Sequence, residues 1–404
     1  MRKVYLDNAA TTPVDKRVLA AARPYFSQRF GNASEPHLWG QEARRAIETA
    51  REKVADFLGA KPKEIIFTSC ATESINLAHK GLLEAKLREF QNPKSQIPKK
   101  LHIITSSVEH KAVLETCKHL EKLGWAKVTY LPVDKYGMVR VSDVKQAIRP
   151  ETILVSVMYV NNEVGTIEPV AEIGKVIKGI NRSRRASHSP PLYFHTDATQ
   201  AIQYLDCEVD KLGVDLLSLT GHKFCAPKGI GALYVRSGVP IVRQQDGGEQ
   251  ERGLRAGTEN VPGIVALGEA IGQVQRSTFQ VQNRVKELRD RLIDGVLKIS
   301  GTKLTGHPTK RAPHIASFVI EGVEGEAMLL LLSDKGVAAS SGSACTSGVL
   351  GPSHVLTAMG ISAEVSHGSL RFSLGKDTAG EDIDYVLKVL PGIVVQLRKM
   401  APAA

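Results

Sequence analysis

Seven apolar, strand-like runs recur between residues 64 and 235, and the first five are separated by segments of helical periodicity. The runs are EIIFTS, LHIITS, VTYLPV, TILVSVMYV, PLYFHTD, DLLSLT and GALYV. Strands alternating with helices imply βαβ units, hence a mostly parallel sheet of seven strands with helices on both faces. Ligand sites in such sheets lie beyond the carboxyl ends of the strands. Thr72, His110, Asn162, Asp197 and Lys223 all fall just after strand-like runs. One site assembled from distant residues is therefore expected at that end of the sheet.

A chain of 404 residues has room for more than this sheet. From Asn260 a long helical stretch leads away, and the remainder mixes helix and strand (HIASFVI, EAMLLLLSDKG, SLRFSLG, DIDYVLKVLPGIVVQLRKM). The expected division is a large domain over residues 15–278 and a smaller α+β domain over residues 279–404, with residues 1–14 folded back onto it. The latter domain carries the segment around Cys345. With 42% apolar and 24% charged residues, the composition is that of an ordinary globular protein. No apolar run reaches the roughly 18 residues of a membrane span. The first residues enter a strand-like segment directly, with no secretory or transit pattern. A cytoplasmic protein without membrane attachment is expected.

The net charge is +11, and much of the excess sits in residues 86–100 and 175–185, without the interleaved aromatics that stack on bases. These stretches read as solvated basic surface, so direct nucleic-acid binding is not expected. Five cysteines, widely spaced and with no C-x-x-C pair, suit neither a disulfide framework nor a zinc site, and no resident metal is expected. Cys70, Cys117, Cys207 and Cys225 read as inert core thiols. Cys345, in ASSGSACTSG, has almost no bulky neighbours and reads as an exposed thiol.

The chemistry centres on SLTGHKFCAPKGIG, residues 218–231. Lys223 is either a surface lysine in a turn or a desolvated amine, and a desolvated, neutral amine forms Schiff bases with aldehydes. The second reading points to pyridoxal 5′-phosphate (PLP). That cofactor also needs an anion for its pyridinium nitrogen, a stacking partner, a phosphate cradle and a clamp for the substrate carboxylate. Asp197 suits the first need or is a helix cap. Gln200 could reach the ring hydroxyl. His110 could stack and exchange protons, or serve as a cap. Ala71 and Thr72, at a strand-to-helix turn, could hold the phosphate together with Thr220 and His222. Arg371 has the planar fork that suits a carboxylate, or is an edge-strand arginine in solvent. Cys345 could be a travelling nucleophile.

Taken in order, DNAATTP, GNASEPHLWG, ATES, EHKAVLETC, NNEVGTIEPV, HTDATQ, SLTGHKFCAPKGIGALYV, ERGLRAGTEN, SSGSACTSG and SLRFSLG resemble the PLP-dependent cysteine desulfurases of the IscS/NifS group. The cysteine segment resembles the long-loop branch, and the likeness runs from Tyr5 to about Leu397. The resemblance implies the PLP-dependent transferase fold type I. It also implies conversion of L-cysteine to L-alanine, leaving a persulfide on Cys345 for iron–sulfur cluster assembly or for tRNA or cofactor thiolation.

Position by position, the resemblance makes Lys223 the Schiff-base lysine, Asp197 the pyridinium partner, His110 the stacking acid–base and Gln200 the ring-hydroxyl contact. Ala71, Thr72, Thr220 and His222 would hold the phosphate. Asn162 and Arg371 would bind the substrate carboxylate, Asn162 also touching the cofactor. Thr258 would reach the phosphate of the neighbouring subunit in a homodimer. Implied partners are an iron–sulfur scaffold protein and tRNA-thiolation or other sulfur-acceptor proteins, with Cys345 a transient ligand of an iron–sulfur cluster. A selenocysteine lyase or another class-V aminotransferase-like PLP enzyme is the alternative. Three positions depart from the family pattern. Cys70 stands for the usual glycine, Glu249 occupies a glycine position in DGGEQERG, and little chain follows Met400 where the family carries a scaffold-docking extension.

Overall fold

In the computed structural model, which describes residues 2–90, 100–342 and 351–400, a short strand, β1 (Val4–Tyr5), precedes the large sheet. That sheet is built from β2 (Ile65–Thr68), β3 (Leu101–Ser106), β4 (Ala126–Leu131), β5 (Thr152–Ser156), β6 (Tyr193–Asp197), β7 (Leu216–Thr220) and β8 (Gly231–Val235). Its order is β2-β8-β7-β6-β5-β3-β4. All pairings are parallel except those of β8, which runs antiparallel to both neighbours. The mostly parallel, seven-stranded sheet expected from the alternation is present.

Near-continuous apolar runs are what strands covered on both faces require. Alternation along each strand sends Ile104, Val155, Phe194 and Leu217 into one core, and Ile103, Leu154, Tyr193 and Leu216 into another on the opposite face. Helices Leu38–Leu58 and Val170–Ala186 cover the first face, and a helical run over 71–90 with helix Lys111–Lys122 covers the second.

The rest of the chain adds β9 (Thr302–Leu304), β10 (Ile315–Ile320), β11 (Val337–Ala338) and β12 (Ser369–Ser373). β12, β10 and β9 form an antiparallel sheet, while β1 pairs in parallel with β11, Val4 opposite Val337. A separate core unites Val4, Leu6, Phe318, Phe372 and Leu390. Helix Val261–Val296, about 54 Å long at 1.5 Å per residue, serves both regions. Its first half packs in the large core through Ile264, Leu267 and Ile271, and its second half in the other through Val285, Leu292 and Val296.

Three local readings are corrected. The turn-forming residues of GNASEPHLWG predict a loop, but a helix starts at Leu38 with the His37 ring accepting the Gly40 N–H. Lys86 is buried, pairing with Glu89 and lying 5.6 Å from the Tyr193 ring centroid. Arg184 is buried as well, and its guanidinium donates to the carbonyls of Thr152, Arg149 and Pro190. Both cations are therefore structural rather than solvated. No helix among the described residues is long and apolar enough to cross a membrane.

β8 begins at Gly231, where a Cβ would lie 2.7 Å from the Leu219 carbonyl oxygen and 2.8 Å from the carbonyl carbon of Cys70. The absence of a side chain lets the strand after the Lys223 turn close against the turn after β2. Gly231→Ala should therefore destabilise the fold by about 1–3 kcal/mol, seen as a lower urea midpoint with an unchanged denaturant slope.

Candidate active site

A cavity of about 460 Å³ opens beyond the carboxyl ends of the parallel strands. Ala71 and Thr72 enter it from the turn after β2, His110 from beyond β3, and Asn162 from beyond β5. Asp197 and Gln200 come from the end of β6, Thr220, His222 and Lys223 from the end of β7, and Arg371 from β12. Ten of the twelve residues singled out in the sequence thus line this one cavity. Thr258 is exposed and does not line the cavity, and Cys345 lies outside the described residues.

Lys223 is half-buried, and its amine donates to the carbonyls of Ala9 and Ala10 at 2.6 and 2.8 Å. The amine is not stranded among apolar strands, as its sequence context suggested, because the N-terminal segment supplies its acceptors. That segment is what the sequence reading missed. The same Ala9 carbonyl accepts from Gln200 Nε2 at 2.9 Å, and Asp7 Oδ1 accepts from Arg371 Nη2 at 2.9 Å. The only local signal was a polar, small-residue turn after a short strand. Arg371 is 4% exposed, which excludes the solvent-facing alternative, and its Nη1 donates to the carbonyl of Asn162 at 2.8 Å.

Ring-nitrogen partners place the proton on His110 and on His314. His110 caps helix Lys111–Lys122, its Nδ1 accepting the Ala112 N–H at 3.1 Å, so a neutral ring carries its proton on Nε2. Burial lowers the His110 pKa, with Lys223 and Lys111 pushing the same way and Asp197 opposing. Burial, with Lys223 and Lys228, brings His222 down to about 4. His314, stacked on Tyr204, donates to Gln200 Oε1 at 3.2 Å and stays neutral because burial and nearby cations lower it to about 3. Asp197 is 6% exposed, and its carboxylate accepts the Thr199 N–H at 2.9 Å.

The family model for aminotransferase class-V matches residues 4–386. Over 401 residues the chain is 51% identical to cysteine desulfurase IscS of Methanosarcina thermophila, spanning 99% of this chain and 94% of that one. The chain belongs to the cysteine desulfurases. It is also 48% identical to cysteine desulfurase IscS of Dictyoglomus turgidum, over 99% and 97% of the two chains. A solved NifS-like protein matches with a TM-score of 0.88 and 38% identity over 98% of this chain and all of that one. SspA in complex with cysteine matches with a TM-score of 0.78 and 38% identity, over 93% and 100%.

This desulfurase is PLP-dependent, and the cavity fits the cofactor in the chemistry of its donors. A lysine lines the cavity, a buried carboxylate at the end of β6 can accept from a pyridinium nitrogen, and a helical run begins at Ala71, whose first N–H groups have no acceptor within the run and suit a phosphate. Two of the three departures from the family pattern need no glycine in this backbone. Cys70 has φ −172° and ψ 170°, extended backbone that any residue adopts, and Glu249 has an ordinary φ of −91°. Cys117, Cys207 and Cys225 are buried thiols with raised pKa values, as expected of core cysteines. Cys70 is not one of them. It is only half-buried and lines the cavity.

Beside His110, Glu109 is fully buried, accepting from Ser106 Oγ and Met158 N at 2.8 Å each. Burial first, and the charge of Asp197 second, raise its pKa from 4.5 to about 8. The folded chain therefore binds this proton more tightly than the unfolded chain. Its stabilising effect is full below about pH 4.5 and is lost as pH rises through about 8. Glu109→Gln should flatten the stability–pH curve across that window, where wild type loses up to about 1.4 kcal/mol per pH unit. Urea denaturation at pH 5.5 and 8.5 measures this, and equal pH slopes in the two proteins would overturn the assignment.

Proposed function

We propose that the enzyme desulfurates L-cysteine with Lys223, His110 and Cys345 as its catalytic residues. In this reading Asp197, Gln200, Ala71, Thr72, Thr220 and His222 hold the cofactor, while Asn162 and Arg371 hold the substrate. The observation that carries it is the convergence of an amine, a buried carboxylate, a neutral imidazole and a buried guanidinium on one cavity. When bound, PLP draws electrons from the substrate's α-carbon and so loosens the bonds around it.

Each side chain then has a task it can perform from where it stands. Arg371, braced by Asp7 and the Asn162 carbonyl, offers the substrate carboxylate a rigid cationic edge. The His110 ring carries an exchangeable proton on Nε2, and Lys223 can take or return one beside it. The Cys345 thiolate attacks the sulfur of the bound amino acid. A new S–S bond forms as the carbon–sulfur bond breaks, and the electron pair left on carbon takes up a proton. Alanine leaves, and Cys345 keeps a persulfide. Thiol plus cysteine becomes persulfide plus alanine, with no outside oxidant or reductant.

Exposed apolar residues support a homodimer in which Thr258 serves the neighbouring site. Leu19, Phe26, Phe30, Leu38 and Trp39 all lie in solvent within one short stretch of chain, more than a lone protomer commonly exposes together. The persulfide passes to an iron–sulfur scaffold protein or to tRNA-thiolation and related acceptors. Four free thiols among the described residues suit the reducing cytoplasm.

Cys345→Ser should retain the visible absorbance of bound cofactor and its change with L-cysteine while alanine production falls at least about 100-fold. Unchanged alanine production would sink the persulfide reading in favour of an ordinary class-V transferase. Arg371→Ala should raise KM for L-cysteine about 10- to 100-fold, the loss of a charge-assisted hydrogen-bonding group. Trp39→Asp should shift a dimer towards monomer in sedimentation equilibrium, and a wild-type monomer would remove the shared-site reading of Thr258.

A further inference from the structure

β2 is an edge strand, paired with β8 on one side only. Its outer edge is satisfied by side chains in place of another strand. Glu251 accepts the Phe67 N–H at 2.9 Å, and Arg51 and Arg252 donate to the Ile65 carbonyl at 2.9 and 2.6 Å. Arg51 also grips Glu251 with both terminal guanidinium nitrogens, at 2.7 and 2.8 Å, and both residues are buried. Glu251 and Arg252 have φ of 48° and 59°, the left-handed region that a residue with a side chain enters only when its surroundings hold it there. The turn over residues 250–257 is thus fixed against β2 by strong, desolvated contacts.

The same turn reaches the next corner of the chain. Arg255 Nε donates to Glu73 Oε1 at 2.8 Å, and Glu73 Oε2 accepts the Ser69 N–H at 2.7 Å. Burial works against a charge on Glu73, but the bonds from Arg255 and Ser69 outweigh it and lower its pKa. Phe67 and Ser69 are therefore both anchored from the 250–257 turn. Immediately beyond them come Cys70, Ala71 and Thr72, which line the cavity. The N–H groups of Ala71 and Thr72 open a helical run and have no acceptor inside it.

We infer that Glu251, Glu73 and Arg255 are positioning residues for the phosphate cradle, fixing where the N–H groups of Ala71 and Thr72 meet the cofactor's phosphate. This rests on the reading that Ala71 and Thr72 hold that phosphate. Misplacing such donors by a fraction of a hydrogen-bond length weakens a charged contact while leaving the Lys223 end of the cavity untouched. None of the three side chains lines the cavity.

The test compares PLP with pyridoxal, which has the aldehyde and ring but no phosphate. Full-length chain stripped of cofactor is titrated with each, and binding is read from the visible absorbance. Arg255→Met and Glu73→Ala should each weaken PLP binding about tenfold or more and leave pyridoxal binding within about twofold. Glu251→Gln tests the second anchor, and Arg255→Met, at a partly exposed site, remains informative if that buried change prevents folding. Equal losses for PLP and pyridoxal, or no loss of PLP affinity, would overturn the inference. A wild-type chain that binds pyridoxal as tightly as PLP would instead overturn the phosphate-cradle reading on which it rests.

Discussion

Two hydrogen bonds from the Lys223 amine to the carbonyls of Ala9 and Ala10 depend on everything else being in register. Residues 7–15 act as a cord between the two parts of the molecule. On one side Thr12 donates to the His222 carbonyl and accepts the Cys225 N–H, while Asp15 N–H meets the Cys225 carbonyl. On the other, Asn8 and Ala9 bind Ser373 at the end of β12, and Asp7 meets Arg371 two residues earlier. The Lys223 amine and the Arg371 guanidinium are thus spaced by one short peptide.

The electrostatic pattern follows from burial at the strand ends. His110, His222 and His314 are all pushed towards neutrality, so protons at neutral pH reside on defined nitrogens rather than as diffuse positive charge. The Lys223 amine and the Arg371 guanidinium sit where a carbonyl pair and a carboxylate accept from them. Glu109 retains its proton just behind His110, so no second anion competes with Asp197 for that space. The cavity thus holds a buried carboxylate, Asp197, and a second, Asp7, paired with the Arg371 guanidinium.

Strand ends were legible in the sequence because they are local. LHIITS followed by SVEH, or LLSLT followed by GHK, changes from apolar to small and polar within a few residues, and that switch marks where a parallel strand stops. What joins those ends is not local. Lys223 and Ala9 lie 214 positions apart, and nothing in DNAATTP announces which side chains its carbonyls will receive. Arg371 could not be told from a solvent arginine because its burial depends on Asp7 and Asn162, each over 200 residues away. Lys86 and Arg184 were misjudged for the same reason, since charge counts do not show which aliphatic stems are enclosed or which carbonyls await a donor.

The parallel pairing of β1 with β11 has a temporal meaning. Val4 leaves the ribosome first and must wait for Val337 before it finds its neighbour. At typical rates of elongation that interval is tens of seconds, through which residues 222–225 can already hold the cord at Thr12 and Asp15. The contacts of Asn8 and Ala9 with Ser373 must wait longer still. Asp7 likewise gains its ion-pair partner, Arg371, only after β11 has been made.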